Sequence, residues 1–230
     1  MRNFKKVWAI VFLLLAGILL YLTMRFENSY LWISFGMVFI SILFFFVRFE
    51  SRKVEPREIV LLAVLAAIAA VGRIPFASIP SVQPTTFVIM MAGFVFGAES
   101  GFIIGAVAAL ASNMILGQGP WTPWQMAAWG LVGLTAGLVR KTKFMNRKLG
   151  RIFFGIIWGY LFGLIMNVWG FLAVTQAESH ITIKAFLIYF GGSILFDTFH
   201  SVSNVIFFLI FGDIWIKILS RFKRKYGLLE

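Results

Sequence analysis

The sequence predicts an all-α integral membrane protein, and three observations carry that expectation. Sixty per cent of the 230 residues are hydrophobic and 13% are charged, whereas soluble domains carry about a quarter charged residues. The apolar residues gather in runs near the ~20 residues that a helix needs to cross hydrocarbon, at 7–24, 30–47, 59–72, 85–98, 101–116, 125–139, 152–173 and 186–211. The basic residues divide unevenly between the joining segments, with 18 of the 21 Lys and Arg on one side of an alternating topology. The alternating apolar/polar stretches of a barrel strand are missing, so backbone groups away from water must be paired within helices.

The run at 7–24 follows Arg2, Lys5 and Lys6, as a signal peptide would. It ends in Thr23-Met24-Arg25-Phe26, which offers no small-residue cleavage site, so it reads as a retained span. The run at 30–47 is equally plain. The polar segment that follows holds Arg48, Arg52, Lys53 and Arg57 and divides the chain into an N-terminal helix pair with linker, 1–57, and a core at 58–230. The core is expected to hold six helices. Its 85–98 run is short and separated from the next only by Glu99-Ser100, so two short spans or one re-entrant hairpin both fit. The remaining basic residues cluster at 140–151 and 217–225, leaving Arg25, Arg73 and Lys184 on the opposite side. By the positive-inside rule both termini are cytoplasmic, in the cell membrane.

The net charge of +12 does not point to nucleic acid, because the charges flank apolar runs where they set topology and meet anionic lipid heads. Cysteine is absent, and His180 and His200 are the only histidines. These facts exclude disulfides, thiolate chemistry and a histidine-rich metal site. No metal, cofactor or catalytic residue is expected.

Four groups of residues stand out. In the first core helix, Ala63 and Ala67, like Ala66 and Ala70, are four apart and make small-residue strips. Such strips admit close helix approach, either to another subunit or within the bundle. The loop after it carries Pro75, Pro80 and Pro84 and is either a rigid lid or a connector. The uncharged segment Gly117-Gln118-Gly119-Pro120-Trp121-Thr122-Pro123-Trp124-Gln125 follows Asn113. Its Trp and Pro residues offer rigid walls, and Asn113, Gln118, Thr122 and Gln125 offer hydrogen bonds to a ligand. Interfacial anchoring also accounts for Trp121 and Trp124. In the last helix, Asp197, His200, Ser201 and Asn204 share one face. Counting helically from Lys184 puts Asp197 near mid-membrane, where an ionisable group is either functional or held in a structural Asp–His pair. Asn167 and Trp169 are expected to face the same interior.

At these residues the chain from about Glu58 onward resembles the substrate-binding S component of energy-coupling factor (ECF) vitamin transporters. The resemblance is carried by the Ala-rich first core helix, the proline-bearing loop, Gln83-Pro84-Thr85-Thr86 at the start of the next helix, and Ser112-Asn113 with the Gly117–Gln125 stretch. That last stretch looks most like members assigned to cobalamin and related corrinoids. The resemblance implies a vitamin-binding subunit that docks on a transmembrane coupling subunit and two cytoplasmic ATPases, with Ala63, Ala66, Ala67 and Ala70 as the docking strip. It further implies a ligand site drawn from Gln83, Thr85, Asn113, Gln118, Trp121, Thr122, Trp124, Gln125, Asn167, Trp169, Asp197, His200 and Asn204. The first 57 residues depart from that pattern. A flavin or another vitamin would also fit the neutral aromatic segment. Two other classes compete: an intramembrane enzyme, which lacks a second carboxylate near Asp197, and a proton-coupled secondary transporter, for which no inverted repeat is visible.

Overall fold

The structure, a computed structural model, describes residues 30–50, 55–175 and 182–226. The expected span at 7–24 lies outside the described residues. Helix α1 is Tyr30–Glu50, α2 Pro56–Val71, α3 Thr85–Phe96, α4 Ala98–Leu116, α5 Thr122–Val139, α6 Lys148–Thr175, α7 Ile183–Gly192 and α8 Ile194–Tyr226. No strand occurs among the described residues. Four stretches, Pro56–Phe76, Ala98–Leu116, Lys148–Val174 and Ile194–Tyr226, are long and apolar enough to cross a membrane, while α3 and α7 are shorter apolar helices.

Local chemistry explains the helix ends. Pro56 opens α2, and the Glu55 backbone N–H donates to Glu58 Oε2 (3.1 Å), closing a capping box. Gly97 joins α3 to α4 in a single residue at φ +104°, a conformation that favours glycine, and the Arg140 guanidinium lies where its side chain would project. The expected single span over 186–211 is instead two helices. Gly191-Gly192-Ser193 interrupts the ladder between α7 and α8, as glycine and serine pairs do. Beyond 211, α8 continues through Lys217–Lys225 to Tyr226.

Helix α3 is the axis of the bundle. Every residue from Thr85 to Phe96 except Phe94 is buried, as befits a helix apolar all round, and α2, α4, α5 and α8 all pack against it. At its start Thr85 Oγ1 donates to the carbonyl of Ala69, near the end of α2 (2.8 Å). At its other end the Val95 carbonyl accepts from Arg140 Nη1 (3.5 Å) and Lys223 Nζ (3.2 Å), at the ends of α5 and α8. Its two ends therefore touch opposite ends of the bundle.

Glycine strips set the closest helix pairs. Gly101 of α4 faces Gly133 of α5, and a Cβ on either would fall on the other's backbone. Gly155, Gly159 and Gly163 of α6 face Asn204 and Phe208, Ser201, and Asp197 of α8 in turn. This small-residue spacing substitutes packing for hydrophobic drive in lipid. Hydrogen bonds reinforce the α6–α8 seam: Ser201 Oγ donates to the Ile156 carbonyl (3.0 Å) and Asn204 Nδ2 to the Gly155 carbonyl (2.9 Å). Helix α1 lies on the flank against α4, α5 and α6, with Ile42 packed on Phe102, Ile103 and Ala106.

One end of the bundle gathers Arg140–Arg151 and the Lys217–Lys225 turns of α8. The opposite end, formed by the 72–84 loop, the 117–121 loop and the start of α8, carries few charges.

Candidate functional site

The charge-poor end is organised around Arg73, which follows Gly72 at the end of α2. Gly72 allows the loop to fold back, since a Cβ there would meet Pro84 Cγ at 2.9 Å. Arg73 Nε donates to Gln83 Oε1 (3.1 Å), and Nη1 donates to Ser112 Oγ (2.5 Å) and Asn113 Oδ1 (2.8 Å). The guanidinium carbon sits 4.8 Å from the centroid of the fully buried Trp129 ring, a cation–π arrangement. All of these partners are neutral. No carboxylate pairs with Arg73 among the described residues, and its Nη2 has no protein partner there.

A second layer fixes the first. Asn113 Nδ2 donates to Thr122 Oγ1 (3.1 Å) and Gln125 Oε1 (2.7 Å). Thr122 Oγ1 donates to Gln118 Oε1 (2.9 Å), and Gln118 Nε2 donates to the Leu110 carbonyl (3.1 Å). Below Arg73, Trp129 Nε1 donates to Thr86 Oγ1 (3.0 Å), which pairs with His200 Nε2 (2.7 Å). His200 is 3% exposed and meets the Phe162 ring edge-on at 5.0 Å. The result is a guanidinium with fixed orientation, held over an aromatic floor and paired with no carboxylate among the described residues.

Of the residues predicted from sequence, Gln83, Asn113, Gln118, Thr122 and Gln125 are brought together, but as the support of Arg73 and of one another. Trp121 meets Trp169 edge-to-face at 5.9 Å, tying the 117–121 loop to α6. Trp124 is 8% exposed, and its indole N–H, like that of Trp169, has no partner among the described residues. Thr85 is fully buried and donates to α2, and Asn204 Nδ2 donates to α6 while its buried Oδ1 has no partner among the described residues.

The expected common face of Asp197 and His200 divides. Asp197 Oδ2 accepts from Ser193 Oγ (2.9 Å), whose oxygen accepts from Asn167 Nδ2 (2.5 Å), while His200 turns to Thr86. Asp197 also lies in the first turn of α8, because the helix restarts at Ile194. Two turns on, Ser203 Oγ already meets the Gln83 backbone at the start of α3. Asp197 thus belongs to the charge-poor end and not to the middle of a helix running from Lys184. The alanine strip divides too: Ala66 (3% exposed) and Ala70 (4%) pack inside the chain, while Ala63 and Ala67 are exposed.

Sequence reading missed Arg73, Ser112, Thr86 and Trp129. Arg73 was counted only as one of three cations opposite the basic segments. Its signal was available: a lone Arg at the end of an apolar helix, followed by loops rich in neutral amides and without an acid.

Fold and site together define a helical membrane protein with a preorganised polar cluster at one end of its bundle. Residues 57–212 match the model of the ECF transporter substrate-specific component, and the chain belongs to that family. The family is a transport component, not an enzyme. Among curated proteins, the chain is 33% identical over 105 residues to the folate transporter FolT of Streptococcus mutans, covering 44% of this chain and 54% of that protein. It is 26% identical over 87 residues to a UPF0397 protein of Vibrio atlanticus, covering 36% and 47%. A UPF0397 protein of Aliivibrio fischeri is 25% identical over 91 residues, covering 37% and 49%. The chain thus spans about half the length of these relatives. No solved structure matches.

Proposed function

We propose that this chain binds a folate-class vitamin, a flat heterocycle carrying carboxylates, and delivers it through an ATP-driven ECF transporter. The observation that carries this reading is Arg73, a guanidinium held by neutral acceptors, with Nη2 unengaged by any described residue. A fixed, uncompensated cation selects an anionic oxygen, and Arg does so with planar geometry. The Trp-rich surroundings and the unpaired indole N–H groups of Trp124 and Trp169 suit a flat ring with acceptor atoms. The folate transporter among the relatives supports the same choice. The corrinoid expectation has no such support. It rested on the neutral Gly117–Gln125 segment, yet Gln118, Thr122 and Gln125 bond to each other and to Asn113, and so are not free to orient a large neutral ligand.

In this reading α2, α3, α4, α5, α6 and α8 are the six core helices, with α3, 12 residues or about 18 Å long, a short span whose ends are met by side chains from opposite ends of the bundle. Helix α1 is the second of two added helices. The basic end is cytoplasmic by the positive-inside rule, so the Arg73 cluster faces outward. The exposed Ala63–Ala67 face of α2 receives the coupling subunit, and the partner ATPases supply the energy.

Binding of folate, riboflavin and cobalamin to the purified full chain, followed by tryptophan fluorescence, tests the ligand. Folate is expected to bind tightest, without ATP or an ion gradient, and Arg73→Gln is expected to weaken it. Tighter binding of cobalamin or riboflavin, indifferent to Arg73→Gln, would overturn the assignment. Uptake should collapse in cells lacking the coupling subunit and ATPases. Sustained uptake there would indicate a secondary transporter instead.

A further inference from the structure

The basic end holds a cavity that the vitamin site does not use. It has a volume of about 420 Å³ and lies between the end of α3, the α5–α6 loop and the last turns of α8. Four cations line it from three elements: Arg140 at the end of α5, Arg151 in the first turn of α6, and Lys223 and Arg224 on α8. Asn146 and Ser220 add neutral hydrogen-bonding groups, and no Asp or Glu is in the lining. Arg140 and Lys223 both point at one neutral acceptor, the Val95 carbonyl. Asp213, outside the lining, meets Arg151 at 3.4 Å and Lys148 at 3.9 Å and is 58% exposed. Like charges from three elements gathered around a concave space, with no acid among the lining side chains, make a site for an anion.

The rest of the cavity is apolar. Phe94 and Ile216 contribute to its wall. Beside it the loop and the start of α6 present Phe144 (50% exposed), Leu149 (74%) and Phe153 (53%) outward, with the Phe144 and Phe153 rings edge-to-face at 6.1 Å. Cations at the mouth of a helix bundle, next to exposed apolar side chains, match an anionic headgroup with its acyl chains on the neighbouring surface. A soluble anion would have no use for that apolar rim, and a protein segment would not need a headgroup-sized pocket.

We infer that this cavity binds the phosphodiester headgroup of an anionic phospholipid from the leaflet at the basic end. The cations of α5, α6 and α8 clamp the headgroup while Phe144, Leu149 and Phe153 lie against its chains. Lipid bound there would tie together α5, α6 and α8 at this end.

The test is thermal unfolding of the detergent-purified full chain with added phosphatidylglycerol, phosphatidylcholine or glycerol 3-phosphate, supported by native mass spectrometry. Phosphatidylglycerol is expected to raise the melting temperature and remain bound, and phosphatidylcholine to do neither. Arg140→Gln with Arg224→Gln should lose the phosphatidylglycerol shift while keeping wild-type vitamin affinity. Ser220→Glu, which puts a negative charge in the lining without touching the Arg140–Val95 contact, should lose it as well. Equal shifts with both lipids, or full retention of the shift in both variants, would overturn the proposal. A shift reproduced by glycerol 3-phosphate alone would reassign the site to a soluble phosphate and overturn the lipid source. Normal lipid response with failed assembly on the coupling subunit in Arg140→Gln/Arg224→Gln would assign the cations to a protein contact instead. None of these outcomes depends on which vitamin is bound.

Discussion

At the charge-poor end one guanidinium is held by three neutral side chains over a buried indole; at the basic end four cations from three helical elements surround a cavity without acidic lining. The two ends handle positive charge in opposite ways. Arg73 is locked by the hydrogen bonds it donates to neutral acceptors, so on the proposed function a single side chain dictates what binds. The basic end distributes charge over long, partly exposed side chains, where screening and mobility dilute each one. On the proposed roles one end serves selectivity and the other tolerance, and single substitutions should be felt very differently at the two.

The change expected to abolish the contrast is in neither end. Gly133→Val places two methyl groups on the backbone of Gly101, which cannot move without separating α4 from α5. A loss of about 3 kcal/mol or more is expected, read as a collapse of folded, monodisperse protein on size exclusion. Gly191→Ala is the control: nothing lies within 4 Å of a Cβ there, and the folded yield should match wild type.

Arg73→Gln is next in size. Removing a desolvated charge partner costs about 2–4 kcal/mol, on the order of 30- to 1000-fold in ligand affinity. Arg73→Lys should recover little, because an ammonium cannot reach Gln83, Ser112 and Asn113 with one planar fork. Full recovery by Lys would mean that charge alone matters at this end, and the contrast with the basic end would fail. Asn113→Ala removes one acceptor from Arg73 and frees Thr122 and Gln125. About a tenfold loss of affinity is expected, since a hydrogen bond to a charged group contributes roughly 1.5–3 kcal/mol and part of the cluster can reorganise.

The helices were legible because lipid demands them: seven apolar runs predicted between 30 and 211 coincide with described helices to within a few residues, apart from the last. That run failed because hydropathy does not register a Gly-Gly-Ser break, and because α8 leaves the apolar zone as a basic helix that composition reads as a tail. The site was half legible. Amides and tryptophans in an uncharged loop were visible as a cluster, but which of them contact a ligand and which position Arg73 is a matter of pairing across 39 and 40 residues. Thr86, next to the expected Thr85, makes the Trp129–His200 connection, and one residue amounts to about 100° on a helix. The strip Gly155, Gly159, Gly163 was readable in the sequence and explains why Asp197, Ser201 and Asn204 point to α6.

The alanines of α2 sharpen the comparison with a readout outside both ends. Ala67 is exposed and Ala66 is buried at 3%, though they are adjacent in sequence. Ala67→Leu should leave vitamin affinity unchanged and reduce uptake, whereas Ala66→Leu should lower thermal stability by about 1–3 kcal/mol through overpacking. Loss of vitamin binding in Ala67→Leu with normal coupling would contradict the division of the strip.

The smallest effect belongs to the basic end itself. Asp213 bonds Arg151 and Lys148 but is 58% exposed, and its contacts are long. Asp213→Asn should change stability by less than about 1 kcal/mol, and what it does change should vanish at high salt. Its informative consequence is indirect: Arg151, already in the cavity lining, loses its competing carboxylate, so the phosphatidylglycerol-dependent shift should be kept or modestly enlarged. If Asp213→Asn instead destabilised the protein as strongly as Arg73→Gln weakens its ligand, the basic end would be a rigid ion-pair network, and the distinction between a selective end and a tolerant one would have to be abandoned.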